Sequence, residues 1–479
     1  MGKYYVTTSI PYVNAEPHIG FAMELLYADV LARYARANGD EVMFSTGTDE
    51  HGGKIAERAK EQNQSIQEYT DGISARFREL AKDLDISNNR FIRTTDPGHE
   101  QRAVEIWKRL KKDIYKSQYV GWYCTGDEAF FTEQEVKENK GVCPAHNRPY
   151  EKIEEENYFF KLSAYADKIK HSITDNSFEI VPKSRRNEIL SLIDKGLEDI
   201  SISRPKEKID WGIQVPGDPK QVMYVWFEAL MNYITVLGYP EHEDFKLYWP
   251  ANTQVIGKDI LRFHAAIWPA MLLALELPLP KQLYVHGFVT ADGKKMSKSL
   301  GNVINPFDVI KVHGVDAFRY YMLRHIPSHE DGDFSWDRFS EVYNSELANE
   351  LGNLVQRSLA MAISYLDGDV GEIPSPEHDS TAYVEAIREC HFDRALDSVW
   401  EQVRGLNQYI DEEKPWEIAK SGDKDHLREV LAYLMSSIAE IATLLTPFLP
   451  QTSAKITEAL NGDRIKRIDG TLFPKIETK

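Results

Sequence analysis

The stretch that most constrains the fold lies near the amino end, where "YYVTTS" at residues 4 to 9 is followed by a segment of helical period and then by "EVMFSTGTDEHG" from residue 41. The two outer runs are rich in aromatic and β-branched side chains, which suit a buried pleated surface, so both read as strands. Between them Phe21, Leu25, Leu31 and Tyr34 recur at helical spacing from Gly20 to Arg36, and Gly39 supplies a stop. Strand, helix and strand with a short return make a parallel βαβ unit, whose crossover is almost always right-handed. That geometry sets the end of the first strand, the start of the helix and the "TGTDEHG" loop along one sheet edge. Open α/β sheets bind ligands at that edge.

The remaining chain is organised around this unit. From about 115 to 222 the turn-rich stretches "GWYCTGDEAF", "GVCPAHNRPY" and "SISRPKEKIDWGIQVPGD" read as an insertion. Strand and helix alternate again through "VMYVWFEAL", "TQVIGKD" and "LYVHGFVTADG". Past about 340 the pattern is long helices, broken by "GEIPSPEHDS" at 371 to 380. A chain of 479 residues exceeds one ordinary core, and about two to four domains are expected.

Composition excludes several classes. With 42% hydrophobic and 28% charged residues the chain has the balance of a soluble globular protein. Its longest apolar run, "AAIWPAMLLAL" at 265 to 275, falls short of the ~20 residues that span a bilayer, so no membrane helix is expected. The start "MGKYYVTTSI" lacks a basic region before an apolar core, and Val6 stands where a myristoylation signal wants Ser or Thr. Only Cys124, Cys143 and Cys390 are present, too few for a disulfide framework, and a cytoplasmic location is expected. The net charge of -18 rules out a broadly basic nucleic-acid coat and leaves room for a local basic groove.

Two motifs point to phosphate chemistry. "PYVNAEPHIGF" puts His18 and Gly20 at a helix start, where unsatisfied N–H groups and about half a positive charge favour phosphate. By itself a histidine there is more often a cap. "ADGKKMSKSLGN" at 291 to 302 puts Lys295 and Lys298 beside Ser297 and Ser299 in a glycine-flanked loop, a mobile clamp suited to phosphate. By itself such a run is more often a solvated charge patch.

Together "HIG" and "KMSKS" resemble the paired signatures of class I aminoacyl-tRNA synthetases. Over nearly its whole length the chain further resembles the methionyl-tRNA synthetase family, through "VTTSIPYVNAEPHIG", "TGTDEHG", "YVWFEALMNY", "VIGKDILRFHAAIWPAML", "YVHGFVTADGKKMSKSLGN", "GNLVQR" and "KPWEIAK" in that order. The resemblance implies an α/β fold: a Rossmann-type parallel-sheet catalytic domain in two halves, 1–114 and 223–294, split by a connective insertion at 115–222. A KMSKS loop and stem-contact linker at 295–340 then leads to an all-α helix-bundle anticodon-binding domain at 341–479. It implies attachment of L-methionine to tRNA(Met) by way of methionyl-adenylate, with ATP and Mg²⁺. His18, Lys295 and Lys298 would stabilise charge on the phosphates, with Gly20, Gly257, Asp259 and Ser297 completing the ATP site; Asp259 alone reads as a cap before "ILRFHAAIW". Phe21 stands where the family usually has a second histidine, and it has no donor for phosphate.

The same resemblance places Ile10, Tyr12, Asp49, Trp226, Ala229, Tyr233 and His286 around methionine. A thioether wants a deformable aromatic pocket because sulfur accepts hydrogen bonds poorly and meets ring edges well. Trp226, Ala229 and Tyr233 share one helical face by spacing, as a core face does too, and Asp49 would take the ammonium. Glu228 replaces a more usual aspartate, and His264 reads as a satisfied core histidine. In "NELGNLVQRSLA" the apolar Leu351, Leu354, Val355 and Leu359 form one stripe, so Asn353 and Arg357 project from the opposite face. The resemblance adds Pro415 and Trp416 in "EEKPWEIAK" as anticodon-binding partners. Cys124 with Asp127 and Cys143 with His146 have the spacing of a zinc knuckle, and one Zn²⁺ is expected, although the family's metal-binding members usually have cysteine at position 127. Two rival readings remain: a class I synthetase for another amino acid, and a catalytically silent tRNA-binding relative. The insertion is too short for the editing domain that the first carries, which exists because a pocket alone separates neighbours by only ~1–3 kcal/mol per methylene. The chain ends after "TLFPKIETK" without an added dimerisation module, and a monomer is expected.

Overall fold

Strand Glu41–Thr48 is buried from Val42 onward, and Lys3–Thr8 from Tyr5 onward. Alternation is lost because both faces are covered, as in parallel sheets flanked by other elements. The computed structural model describes residues 2–125, 129–144, 147–294, 303–373 and 380–476. They divide into two units: Met1–Pro17, Asp40–Glu79 and Asn88–Val285 form the first, and His18–Gly39, Leu80–Ser87 and His286–Lys479 the second.

The first unit is built on a six-stranded sheet in the order Arg90–Arg93, Glu41–Thr48, Lys3–Thr8, Thr253–Gly257, Gln282–His286 and Glu179–Val181. Lys3–Thr8 pairs in parallel with both its neighbours, Val6 opposite Phe44 on one side and Thr8 opposite Val255 on the other. The strand order reverses between these two neighbours, which makes their carboxyl ends the switch point where such sheets take ligands. Ser9 to Tyr12 leave one end there, and Gly257 leaves the other. The expected α/β class and βαβ start are both present: Ile19–Ala37 is the helix between the first two strands.

The insertion contributes a four-stranded sheet in which Ile114–Cys124 runs antiparallel to Glu151–Phe160 over ten paired positions. Beside it Cys124, Val136, Cys143 and Tyr150 form a small separate core. "VMYVWFEAL" splits into the strand Gln221–Met223, antiparallel to Ser203–Pro205, and the helix Val225–Ala229. A second short helix, Asn232–Thr235, follows, so the single helical face expected for Trp226, Ala229 and Tyr233 is shared between two pieces.

The second unit is helical past residue 335, as expected. In Phe392–Glu413 the buried positions Phe392, Ala395, Leu396, Val399, Trp400, Val403, Leu406 and Ile410 follow the i, i+3, i+4 pattern of an inward stripe. Arg319, wholly buried, ties this unit together: it donates to the carbonyls of Leu84, Pro447 and Phe448 and pairs with Asp29 at 2.7 Å. A buried guanidinium is tolerable only because nearly every N–H finds an acceptor.

Candidate active site

At the switch point the chain after Lys3–Thr8 stays extended long enough for Tyr12 to bridge Asp49 in parallel register. Asp49 N–H donates to the Pro11 carbonyl at 2.9 Å, and Val13 N–H donates to that of Asp49 at 3.1 Å. Ile10 and Tyr12 are thus half-buried on one side of a buried carboxylate, whose Oδ1 lies 3.4 Å from the Thr94 hydroxyl. On the neighbouring strand Gly257 is buried, and Asp259 stands exposed in the 3-10 turn Lys258–Ile260.

Trp226 and Tyr233 meet over the π-helical turn Phe263–Ile267. The Trp226 ring stacks on Phe263 with centroids 4.1 Å apart and planes 16° from parallel. The Tyr233 hydroxyl lies 2.7 Å from His264 Nε2, and His264 Nδ1 lies 3.0 Å from the Ile260 carbonyl. A carbonyl only accepts, so the His264 proton sits on Nδ1 and Tyr233 donates to Nε2. His264 is therefore the satisfied core histidine that the sequence suggested. Ala229 is buried on the same helix as Trp226.

His18 and His286 belong to the second unit. His18 is the cap of Ile19–Ala37: its Nδ1 accepts the Gly20 N–H at 3.1 Å, so the ring proton sits on Nε2. His18 is exposed as a residue, yet desolvation by the protein around its imidazole lowers its pKa below the usual histidine value. A Cβ on Gly20 would sit 2.9 Å from His18 Cε1, so only glycine lets the imidazole lie across this helix start. Phe21 is buried one position on. His286 places Nε2 3.0 Å from Glu24 and Nδ1 2.8 Å from the Gly287 carbonyl. Lys295, Ser297 and Lys298 lie outside the described residues, as do Asp127 and His146.

In the helical unit Leu351, Leu354, Val355 and Leu359 are buried, while Asn353 is exposed and Arg357 half-buried, as the stripe predicts. Arg357 pairs with Asp411 at 3.2 Å. Pro415 opens the helix Pro415–Ser421, which touches the helix Asn353–Leu366; Trp416 is half-buried. Cys124 and Cys143 are buried in one small core, and neither forms a disulfide. Among the described residues no group of three or more His, Cys, Asp or Glu side chains is arranged to hold a metal.

The family model of class I tRNA synthetases (M) matches residues 4–152 and 146–359. A methionine--tRNA ligase of Caldanaerobacter subterraneus is 43% identical over 99% of this chain and 79% of its own length. The chain belongs to the class I methionyl-tRNA synthetases. A methionine--tRNA ligase of Brucella melitensis is 42% identical over 97% of this chain and 93% of its own. The structure of Mycobacterium tuberculosis methionyl-tRNA synthetase in complex with methionyl-adenylate aligns with a TM-score of 0.92, at 37% identity over 99% of this chain and 100% of that one.

Sequence reasoning missed a buried polar network beside Asp49. Glu228, fully buried, accepts from His51 Nδ1 at 2.8 Å and from His99 Nε2 at 2.9 Å. Burial pushes the Glu228 carboxyl up, but the charge of His51 and hydrogen bonds from both histidines leave its pKa below the usual value. Burial pulls His51 down, yet Glu228 foremost, with Glu100 and Asp49, raises it to about 10. Next door, fully buried Glu50 accepts both Arg93 Nε at 2.7 Å and Arg93 Nη2 at 2.8 Å. These partners sit far apart in sequence, so no periodicity announces them; "TGTDEHG" was the one available signal.

Proposed function

We propose that the chain attaches L-methionine to tRNA(Met) through methionyl-adenylate, releasing pyrophosphate and then AMP. The observation that carries this reading is family membership over nearly the full chain, joined to the switch-point placement of Tyr12, Asp49 and Gly257. In the first step a methionine carboxylate oxygen attacks the α-phosphorus of ATP in line, and the bond to pyrophosphate breaks. In the second a terminal ribose hydroxyl of tRNA attacks the activated carbonyl, and AMP leaves. Little covalent chemistry falls to the protein; positioning and charge stabilisation dominate such transfers.

Asp49 takes the ammonium by a charge-assisted hydrogen bond. Ile10, Tyr12, Trp226, Ala229, Tyr233 and His286 are the residues we assign to recognition of the thioether side chain. His18 donates from Nε2 to phosphate, Lys295 and Lys298 follow the charge of the departing pyrophosphate with Ser297, and Gly20, Gly257 and Asp259 hold the nucleotide, which enters with Mg²⁺. Asn353, Arg357, Pro415 and Trp416 read the anticodon. We assign 1–114 and 223–294 to the split catalytic domain, 115–222 to the insertion, 295–340 to the linker and 341–479 to the helical domain, as the family resemblance implies.

A zinc ion in the insertion would be structural. Cys124 and Cys143 supply two buried sulfurs of the right chemistry, with Asp127 and His146 as the other ligands. Elemental analysis of chelator-washed protein is expected to give one zinc per chain, and a value near zero refutes the site. No helix among the described residues is long and apolar enough to cross a membrane, and we place the protein in the cytoplasm as a monomer. ATP–pyrophosphate exchange against a panel of amino acids tests the whole reading. Exchange with methionine is expected; exchange with another amino acid, or with none, refutes it.

A further inference from the structure

Glu228 sits on the helix Val225–Ala229 between Trp226 and Ala229, and it is fully buried. Its two oxygens are divided between two elements. Oε1 takes His51 Nδ1, two residues past Asp49, and Oε2 takes His99 Nε2 near the start of Pro97–Arg109. His99 Nδ1 in turn lies 2.8 Å from the Thr235 hydroxyl, on the short helix that carries Tyr233. His51 Nε2 lies 3.5 Å from Glu100, which completes a chain of groups from Glu100 through His51, Glu228 and His99 to Thr235. Four of these five side chains, His51, His99, Glu228 and Thr235, are almost fully buried, so the network is paid for in desolvation and holds only while every member is satisfied.

We propose that Glu228 is a positioning residue for amino-acid selection, a brace that sets the distance between the Asp49 carboxylate and the Trp226–Tyr233 wall. The inference rests on the methionine-pocket reading above and adds to it a residue that touches no substrate. A strand end and two short helices, of five and four residues, have little rigidity of their own, since helices this short are not stable alone. Tied through one carboxylate, they present the ammonium acceptor and the thioether wall at a fixed separation. Methionine spans both, so it feels any loosening; ATP meets neither and does not.

The chemistry predicts which replacements are tolerated. Glutamine keeps the shape and one acceptor. His51 donates from Nδ1 to its oxygen, while His99 changes tautomer, accepts the glutamine N–H at Nε2 and donates from Nδ1 to Thr235, so every bond is remade. Leucine keeps the volume and offers no acceptor, leaving two buried histidine N–H groups without a partner.

The test is ATP–pyrophosphate exchange with methionine and ATP varied separately, alongside Trp226→Ala. Glu228→Leu is expected to raise the KM for methionine about tenfold or more while the KM for ATP moves less than about twofold, and Glu228→Gln is expected to recover most of the loss. Equal effects on both substrates, or equal damage from leucine and glutamine, overturns the brace. Should Glu228→Leu fail to fold, His99→Leu decides: it cuts one strap, keeps the Glu228–His51 pair, and must show the same split at smaller size. Absence of that split overturns the proposal. If Trp226→Ala itself spares methionine, the pocket reading has failed and the brace with it; if only the Glu228 and His99 variants spare methionine, the brace alone has failed.

Discussion

Replacing Trp226 with alanine separates a substrate wall from an ordinary core residue. The ring is half-buried, with one face stacked on Phe263 at 4.1 Å. Its loss costs the fold the stacking, ~0.5–1.5 kcal/mol, besides the area that the half-buried ring keeps from water, and the thermal unfolding midpoint checks that the variant is folded. The cost to methionine has two parts. A sulfur–aromatic contact contributes ~0.3–1.5 kcal/mol. Full burial of a methionine side chain contributes ~1.5–3 kcal/mol, and one wall of several supplies about a third of it. The sum is ~1–2.5 kcal/mol, or a rise of about 5- to 60-fold in the KM for methionine, at 1.4 kcal/mol for each tenfold. The KM for ATP should change by less than about twofold, because uniform weakening would signal a general disturbance. Pyrophosphate exchange, with each substrate varied at saturation of the other, reads both constants. Parallel increases, or none, refute the assignment and make Trp226 a core residue.

Lys298→Ala is expected to leave methionine binding near wild type and slow single-turnover adenylate formation about a hundredfold, the scale of one lost preorganised charge contact, ~3 kcal/mol; an unchanged rate removes that lysine from the mechanism. Trp416→Ala should lower kcat/KM for aminoacylation by ~1–3 kcal/mol while pyrophosphate exchange, which needs no tRNA, stays near wild type; a parallel fall in both assigns the ring to the core. The pair His51–Glu228 predicts a pH dependence of stability. The folded pKa of His51, about 10, exceeds its usual 6.5, so its contribution is complete below about pH 6.5 and is lost as pH climbs through 10. Glu228, with a lowered pKa, contributes above the usual carboxylate range and loses its share as pH falls below it. The unfolding midpoint should therefore decline from pH 7 to 10 in the parent and decline less in Glu228→Gln; equal slopes exclude the ion pair as the cause.

How much of this was legible in the sequence follows from the range of the forces involved. The strand Lys3–Thr8, the helix Ile19–Ala37 and the stripe of Leu351, Leu354, Val355 and Leu359 were readable because local periodicity and burial act over a few residues. The face shared by Trp226 and Tyr233 was only half readable. Their spacing suits one helix, but the chain breaks between Ala229 and Asn232, and what unites the two rings is the turn Phe263–Ile267, some thirty positions further on. No propensity predicts a π-turn at that point; it follows from tertiary packing.

The polar network was illegible for a deeper reason. His51 lies 177 positions from Glu228, and His99 lies 129 from it. A buried charge is stable only beside its partners, so its position is dictated by the finished fold and leaves no local pattern behind. Signature motifs are legible in the opposite way: "HIG" and "KMSKS" are conspicuous because the roles proposed for them call for particular groups close together in the sequence. The helix cap at His18 shows the two kinds of constraint in a single side chain. Its Nδ1 is spent on Gly20 N–H, a purely structural bond, and that bond is what puts the proton on Nε2, where a phosphate can use it. The bland reading of that histidine and the functional one are therefore the same geometry, and a variant that loses the cap should lose the orientation of the donor with it.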